Sequence, residues 1–473
     1  MWRGLGEGAL GATLGRSSTW RVVGFTAAQA VASTALTLVV GLIPTWAVSR
    51  FEFPGRRTIT GTLTAVFVLP TVVVGAAFVA LLPDSLDRSI WAILGAHVVF
   101  NLAVVVRTVG AVWERLPADL EHAAATLGAS GWQTWRRVTF PLLRPAVVAA
   151  GAIVFLFTFT SFGVIRVLGA TGQATLEVEV WRRATQLGDL GGASVLTVLQ
   201  LAILAGLVGW STVAQRRYSQ IVQLSDPARR VRPRGRQRFA VAAAAGCAVV
   251  IVGTPLVALV ERSLWQGDSY GLAGWRAIGN NEIRPGLRIG IDPIAALTNS
   301  ATTAVWATLF ATVLGGLAVV AISVLQRGGK LLDTGLMLPL GTSAVTIGFG
   351  MLITFDTPPF DWRAEWWLVP VGHALCLGAS PLRAWATAIL PALRRPVATG
   401  AGLAAAISLG EFGATSFLSR SGGETLPIAI ERLVGRTGRL FQAQAFALST
   451  ILAVATIVIV MIVDRGGHHA ERR

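Results

Sequence analysis

Long apolar runs alternate with short polar, arginine-rich segments along almost the whole chain. About 20 consecutive apolar residues are enough for a helix to cross a hydrocarbon core about 30 Å thick. By that measure the full spans are Gly24–Val48, Ile59–Leu82, Ile90–Val106, Ala146–Leu168, Gly192–Ala214, Phe239–Val260, Ala301–Leu325, Leu331–Thr354, Val397–Leu418 and Ala443–Val463. A further run, Trp366–Gly378, is shorter. At about 1.5 Å per residue it reaches only about 20 Å, too little for an ordinary span. The pattern predicts an all-α integral membrane protein of about 10 full transmembrane helices plus one short one.

Composition supports the class. Of the 473 residues, 53% are hydrophobic and only 14% charged, and the mean hydropathy is +0.64. A soluble chain carries about 25% charged residues. The formal net charge of +16 would point to nucleic acid in a soluble protein, but here the basic residues fall in alternate loops. Arg50, Arg56 and Arg57 share one loop; Arg107, Arg115, Arg136, Arg137 and Arg144 share another. Arg216, Arg217, Arg229, Arg230, Arg232, Arg234, Arg236 and Arg238 crowd Gln215–Arg238, and Arg383, Arg394 and Arg395 fall in a later loop. The intervening loops carry Asp84 and Asp87; Glu177, Glu179 and Asp189; Asp356, Asp361 and Glu365. The positive-inside rule makes the basic loops cytoplasmic, and the lipid bilayer rather than nucleic acid is the expected partner. Cys247 and Cys376 both lie in apolar runs, which suits small packed residues better than a disulfide or metal pair. The opening Met1-Trp2-Arg3-Gly4 leads into a Gly-rich stretch rather than the charged start and apolar core of a cleavable signal peptide.

The chain repeats itself. Leu127-Gly128-Ala129-Ser130 matches Leu377-Gly378-Ala379-Ser380; Pro141 matches Pro391; Ser161-Phe162-Gly163 matches Glu411-Phe412-Gly413; Thr175-Leu176 matches Thr425-Leu426; Arg182 matches Arg432. The residue numbers differ by 250 in every pair. The expected organisation is a first half at 1–214, a basic solvated cytoplasmic linker at 215–238 and a second half at 239–473, two parallel repeats forming a pseudo-dimer around a central pathway. His97 pairs with His373 at an offset of 276 rather than 250, so the second half is short by that difference before Leu377. Trp275-Arg276 follows a span, whereas the similar Trp2-Arg3 has none before it. The first half is therefore expected to lack one helix, through either an upstream start or a true loss.

Between two spans lies a polar segment running from Glu121-His122-Ala123-Ala124-Ala125-Thr126 through Gly128 and Trp132 to Phe140-Pro141. Consecutive alanines favour a helix and leave little bulk, so another surface can approach closely. Gly128 suits a left-handed helix end, and Pro141 interrupts the helix before the next span. Trp132 and Trp135, three apart, share one side of the next helical piece, where they suit a partner pocket or the membrane interface. An ordinary cytoplasmic loop with interfacial Trp and Arg is the alternative reading.

With these residues in view, the chain resembles the fused two-domain inner-membrane permeases of ABC importers, in particular the thiamine and ferric-iron import permeases. The hallmark is a cytoplasmic Glu-Ala-Ala turn, then Gly after three residues, an aliphatic residue after nine more, and Leu-Pro two further on. The first copy reads His122-Ala123-Ala124, Gly128, Val138, Phe140-Pro141, with its acidic residue one position early at Glu121. The second copy keeps Gly378, Ala388 and Leu390-Pro391 but lacks the Glu-Ala-Ala turn. Ala96-His97-Val98-Val99-Phe100-Asn101, Phe159-Thr160-Ser161-Phe162-Gly163, Val167-Leu168-Gly169, Ala174-Thr175-Leu176-Glu177, Ser408-Leu409-Gly410-Glu411-Phe412-Gly413 and Thr425-Leu426-Pro427 are similar to thiamine permeases.

The resemblance implies a permease without cofactor or bound metal. A cytoplasmic ABC ATPase dimer would dock on the motif, and an extracytoplasmic binding protein would deliver the solute. The coupling residues would be Glu121, His122, Ala123, Ala124, Gly128, Val138, Pro141, Gly378, Leu390 and Pro391, with the grip unequal between the copies. Glu411, expected well inside the span Val397–Leu418, is costly there unless paired or hydrated; it either lines the pathway or pairs with Arg420 at the outer interface. Asn101, Thr160 and Ser161 are candidates for the same pathway, although hydrogen bonds between helices explain polar residues there equally well. His97 and His373 read as packed residues.

No chemistry of catalysis is apparent. Gly6-Glu7-Gly8-Ala9-Leu10-Gly11 fits the dinucleotide pattern but lacks its βαβ setting, Arg327-Gly328-Gly329-Lys330 lacks the first Gly and the Ser/Thr of a phosphate loop, and no His-Glu-x-x-His occurs. ATP hydrolysis is expected from a separate subunit. A permease remnant that no longer transports is the alternative, with a membrane enzyme further behind.

Overall fold

The computed structural model describes residues 8–170, 172–219, 230–265, 267–279, 282–284, 287–288, 292–324, 343–354, 390–420 and 422–468. The chain is built of helices: α1 (Ala9–Leu14), α2 (Ser17–Arg50), α3 (Arg56–Phe67), α4 (Thr71–Leu81), α5 (Ile90–Trp113), α6 (Ala118–Thr126), α7 (Gly131–Thr134), α8 (Phe140–Phe159), α9 (Gly163–Leu168), α10 (Leu176–Trp181) and α11 (Leu190–Ser219). They continue with α12 (Gln237–Leu264), α13 (Ala273–Arg276), α14 (Pro293–Val324), α15 (Ala344–Thr354), α16 (Leu390–Gly410), α17 (Thr415–Leu418), α18 (Leu426–Val434) and α19 (Arg439–His468). A small antiparallel hairpin, Glu282–Arg284 with Leu287–Arg288, is the exception among the described residues. Seven of the described helices are long and apolar enough to cross a membrane, and two shorter apolar helices accompany them. This is an all-α multi-pass membrane protein.

Three expected spans differ from the structure, two of them at a helix-breaking residue, Pro70 or Gly410. Ile59–Leu82 is not one helix. Proline lacks an N–H and disfavours helix in the residue before it; at Pro70 the chain stops, turns by 106° and restarts as α4, so α3 and α4 are a broken span or a re-entrant pair. The expected span Ala146–Leu168 begins earlier, at Gly131, runs through a π-helical turn at Trp135–Thr139, and ends at Phe159. The expected span Val397–Leu418 also breaks, at Gly410, before the short α17. Only Ala344–Thr354 of Leu331–Thr354 is described as a helix, and Trp366–Gly378, His373, Cys376 and Ala388 lie outside the described residues.

The helices pack by their small and polar faces. On α2 the buried positions include Thr26, Gln29, Ser33, Thr37, Gly41, Thr45 and Ser49, while Val31, Val39 and Ile43 are exposed. Lipid tails are as apolar as leucine, so the outer face does not repel them and the inner face is free to be small. Three buried threonines satisfy themselves by donating one turn back, Thr26 to Val22, Thr37 to Ser33 and Thr45 to Gly41, at 2.6–2.7 Å. The absence of a side chain at Gly41 lets α5 approach: a Cβ there would lie 2.9 Å from Val105.

The segments on either side of the undescribed stretch repeat. The first residues of α10 and α18, Leu176 and Leu426, keep the offset of 250. Earlier in each half the offset is larger: 276 between the starts of α2 and α14, and 273 between those of α4 and α15. The contacts repeat with the helices. The Leu176 N–H donates to Thr26 Oγ1 (3.0 Å), and the Leu426 N–H donates to Ser300 Oγ (2.7 Å). Gly163 lies against Thr71 and Val72, and Gly413 against Ala344 and Val345. At the seam the repeat meets itself. Phe162 stacks on its own counterpart Phe412, with centroids 5.1 Å apart and planes 29° apart. Arg166 pairs with Glu431, and Trp181 Nε1 donates to the Ser416 carbonyl at 3.4 Å. Ser416 is the repeat counterpart of Arg166 and Glu431 that of Trp181, so these are one contact made reciprocally, the signature of a two-fold interface.

Candidate coupling helix and translocation pathway

The short helix α6 is set off from the spans by a Pro117 start and a glycine end. Asp119 and Glu121 occupy its first turn, where negative charge suits the positive end of the helix dipole. At the other end Gly128 adopts φ +81°, its N–H donates to Ala125 (3.0 Å), and the Ala129 N–H donates to Ala124 (3.0 Å). This is a Schellman closure, which an L side chain at Gly128 would strain. Ser130 then opens α7 with a reciprocal cap: Gln133 N–H donates to Ser130 Oγ, and Ser130 N–H to Gln133 Oε1.

A seat of apolar residues, Trp113, Leu116, Leu143 and Ala146, forms part of a packed cluster under this region, and Trp135 stacks on Trp113 at 5.3 Å. Polar ties complete the platform. Glu121 pairs with Arg50 and accepts from Thr139 Oγ1 at 2.9 Å. Glu114 takes both Arg56 (3.3 Å) and Arg230 (2.7 Å), while the Glu52 and Val231 backbones pair. The described end of the basic linker is therefore docked on the first-half loops rather than freely solvated. Helices also run further into 215–238 than the sequence suggests, α11 to Ser219 and α12 from Gln237.

Exposure separates the motif residues into two sets. His122, Ala123, Gly128 and Pro141 are exposed, and Ala124 and Val138 are partly covered. Leu127 is 88% exposed and Trp132 69%. Glu121, by contrast, faces its own chain. Gly378 lies outside the described residues; Leu390 and Pro391 are the first described residues of α16.

Of the expected pathway residues, Ser161 and Glu411 adjoin the seam phenylalanines, while Asn101 is buried in the first half. His97 bridges Ser33 Oγ through Nδ1 and Ser161 Oγ through Nε2, both at 2.9 Å, so it is a packed cross-helix residue. Asn101, one turn further on, is buried and donates to the His97 carbonyl at 2.9 Å. Thr160 Oγ1 donates back to Leu156, and the Ser161 carbonyl accepts from Thr175. Glu411 is not inside a continuous span. It follows the break at Gly410, where its carboxylate accepts from the Ala414 N–H (2.9 Å), the Thr415 N–H (3.0 Å) and Thr415 Oγ1 (2.8 Å). These donors, rather than Arg420, hold it in the structure. Ser161 and Glu411 flank the stacked Phe162 and Phe412.

Two features escaped the sequence reading. Arg166 and Glu431 are charges inside the apolar stretches Gly163–Leu168 and Leu426–Val434, a signal for function in a membrane protein. Gly267-Asp268-Ser269-Tyr270-Gly271 fits the nucleophile-elbow pattern literally, but it lies in a turn after α12 closed by a Trp265–Tyr270 bridge, without the strand and helix that give that pattern meaning.

A multi-pass helical protein with two repeated bodies meeting at a two-fold seam and a short exposed helix between spans has the form of a transport permease. The chain belongs to the family described as binding-protein-dependent transport system inner membrane component, which it matches over residues 38–263 and 371–473. It is similar over nearly its whole length to thiamine transport system permease proteins. One from Salmonella typhimurium is 25% identical over 513 residues, covering 100% of this chain and 94% of that protein. One from Brucella abortus (strain 2308) is 28% identical over 495 residues, covering 94% and 87%. A probable sulfate transport system permease protein from Marchantia polymorpha is 34% identical over 166 residues, 32% of this chain and 54% of that protein.

Proposed function

We propose that this chain is the membrane-spanning subunit of an ATP-driven importer that carries thiamine, or a solute like it, into the cytoplasm. The observation that carries the reading is the exposed, glycine-closed α6 in a chain similar end to end to thiamine permeases. An ATPase dimer would seat α6 through His122, Ala123, Ala124, Gly128 and Leu127. Val138 and Pro141 would transmit its movement into α8, and Glu121 would hold it to the scaffold. Leu390 and Pro391, with Gly378, would serve the second contact. An extracytoplasmic binding protein would deliver the solute to a pathway lined by Asn101, Thr160, Ser161 and Glu411. ATP binding shifts the population toward the outward-open form, and hydrolysis resets it. The permease forms no covalent intermediate. The halves would be 1–214 and 239–473, joined by 215–238. Among the relatives named above none is an iron permease, and thiamine is the substrate we favour.

The test is solute-stimulated ATP hydrolysis by the reconstituted assembly. Gly128→Leu forces a branched side chain into a left-handed position, and stimulated hydrolysis should fall to the basal level while membrane insertion is unchanged. Unaltered stimulation removes α6 from the coupling path.

A second reading, a permease that has lost transport, draws on the drop in the repeat offset from 273 to 250 across the undescribed stretch. Thiamine uptake by the native assembly, set beside a variant with the missing stretch restored before Leu377 from the first half, separates the two: uptake gained only on restoration favours the remnant.

A further inference from the structure

The seam is two-fold in geometry but not in chemistry. On one side the reciprocal contact is an indole N–H to a carbonyl, Trp181 to Ser416. On the other it is an ion pair, Arg166 to Glu431. Both contacts converge on one spot, because the Arg166 guanidinium lies 4.0 Å over the Trp181 ring. A cation held against an indole face and a carboxylate is thus built into the seam. The two side chains of the pair are 23% and 15% exposed, which strengthens the attraction and makes an uncompensated charge costly. Aromatic faces lead inward from it. Trp181 is 6.3 Å from Phe162, which stacks on Phe412 between the halves.

Arg166 comes from α9 of one half and Glu431 from α18 of the other. Parting the halves therefore draws Glu431 away from Arg166 and the Trp181 face together, opening a gap between indole and carboxylate. It leaves Glu431 only the charge of its neighbour Arg432, which is shared with Glu424. A solute that brings its own positive charge and a flat face relieves that cost; a neutral or anionic one does not. We propose that Trp181 and Glu431 form a binding site for an organic monocation at the seam, occupied by Arg166 while the seam is closed. The site rests on the importer reading for its role, and it names the class of solute: a flat, singly charged cation. Arg166 then acts as an internal competitor that keeps the closed seam neutral without solute.

The experiment measures binding of N-methylquinolinium, a fluorescent flat monocation, to the purified full-length permease with its ATPase in lipid nanodiscs. Quinoline, uncharged near neutral pH, is the control. Removing the competitor by Arg166→Gln should tighten binding of the cation about fivefold, the upper end of what one partly exposed ion pair is worth, and leave quinoline unchanged. Adding Glu431→Gln to that variant should abolish the gain. No gain in Arg166→Gln, an equal gain for quinoline, or a gain that survives Glu431→Gln overturns the site. Should Arg166→Gln fail to assemble on size-exclusion chromatography, Glu431→Gln alone decides: binding of the cation should weaken about fivefold relative to native, and unchanged binding overturns the proposal. Thiamine uptake by the native assembly is measured alongside. A binding gain without thiamine uptake removes the substrate reading and keeps the site; uptake without a binding gain does the reverse.

Discussion

The region around Phe162 and the region around Phe412 carry the same backbone arrangement with different side chains on it. In both, a helix ends just before the aromatic residue, a glycine follows, and a leucine N–H further on is caught by a hydroxyl from the long helix of its own half. What differs lies at matching positions: Ser161 against Glu411, Arg166 against Ser416, Trp181 against Glu431. Even the paired Arg182 and Arg432 use different carboxylates, Glu179 in one half and Glu424 in the other. Close backbone approach and buried N–H groups impose the same demand wherever the fold is repeated. Side chains facing the seam are free of that demand, so they can give a two-fold frame a one-sided chemistry.

Three substitutions made in parallel in the two halves probe this contrast. The largest effect is expected at the seam itself. Phe162→Ala and Phe412→Ala each remove one ring of the same stack, and a buried Phe→Ala costs about 3–5 kcal/mol. The two variants should lose thermal stability to a similar extent and leak solute in reconstituted vesicles; a strong inequality would show that the stack is not shared equally. The glycines come next. A Cβ on Gly163 would crowd Thr71 Oγ1 far inside van der Waals contact, whereas one on Gly413 would find its nearest neighbours at 3.2 Å. Gly163→Ala should cost about 1–3 kcal/mol, the scale of overpacking, and lower the unfolding midpoint more than Gly413→Ala. The smallest effect belongs to the hydroxyl caps. Thr26→Val and Ser300→Ala each deprive a buried leucine N–H of its acceptor, at about 1–3 kcal/mol, toward the lower end where a nearby group can replace it. Amide exchange at Leu176 and Leu426 should accelerate in the respective variant only. Acceleration in both at once would mean that the halves are coupled more tightly than these local bonds suggest.

Much of the architecture was legible before any coordinates. Residues that leave water for lipid must satisfy their backbones in helices, so apolar length alone predicts the spans. Gly128 marks where α6 ends because its left-handed backbone permits little else. Pro141, expected to interrupt the helix, instead sits inside a helix continuous from Gly131 to Phe159: near a helix start the missing N–H costs nothing where a π-helical turn has already shifted the bonding. The breaks at Pro70 and Gly410 were read through, since apolar runs such as Leu63–Leu82 stay apolar whether the helix is straight or bent by 106°. Glu411 lies within an apolar run, with the same consequence: hydropathy does not register that a helix has stopped and that the N–H groups of the next turn have become donors. Arg166 and Glu431 went unnoticed because they are far apart in the chain and the repeat aligns neither with a like residue.

By itself the sequence determined the class of the protein, its helical make-up and an internal repeat whose offset is 250 from Leu127 onward, because membrane burial enforces apolar length and a duplicated fold keeps its register between insertions. Tertiary structure alone decided that the two copies face each other through Phe162 and Phe412, that Glu121 turns inward to Arg50, and that one cation, one indole and one carboxylate meet at the seam. Such contacts join residues far apart in the chain, and their distances are set by how helices pack, which no local pattern records.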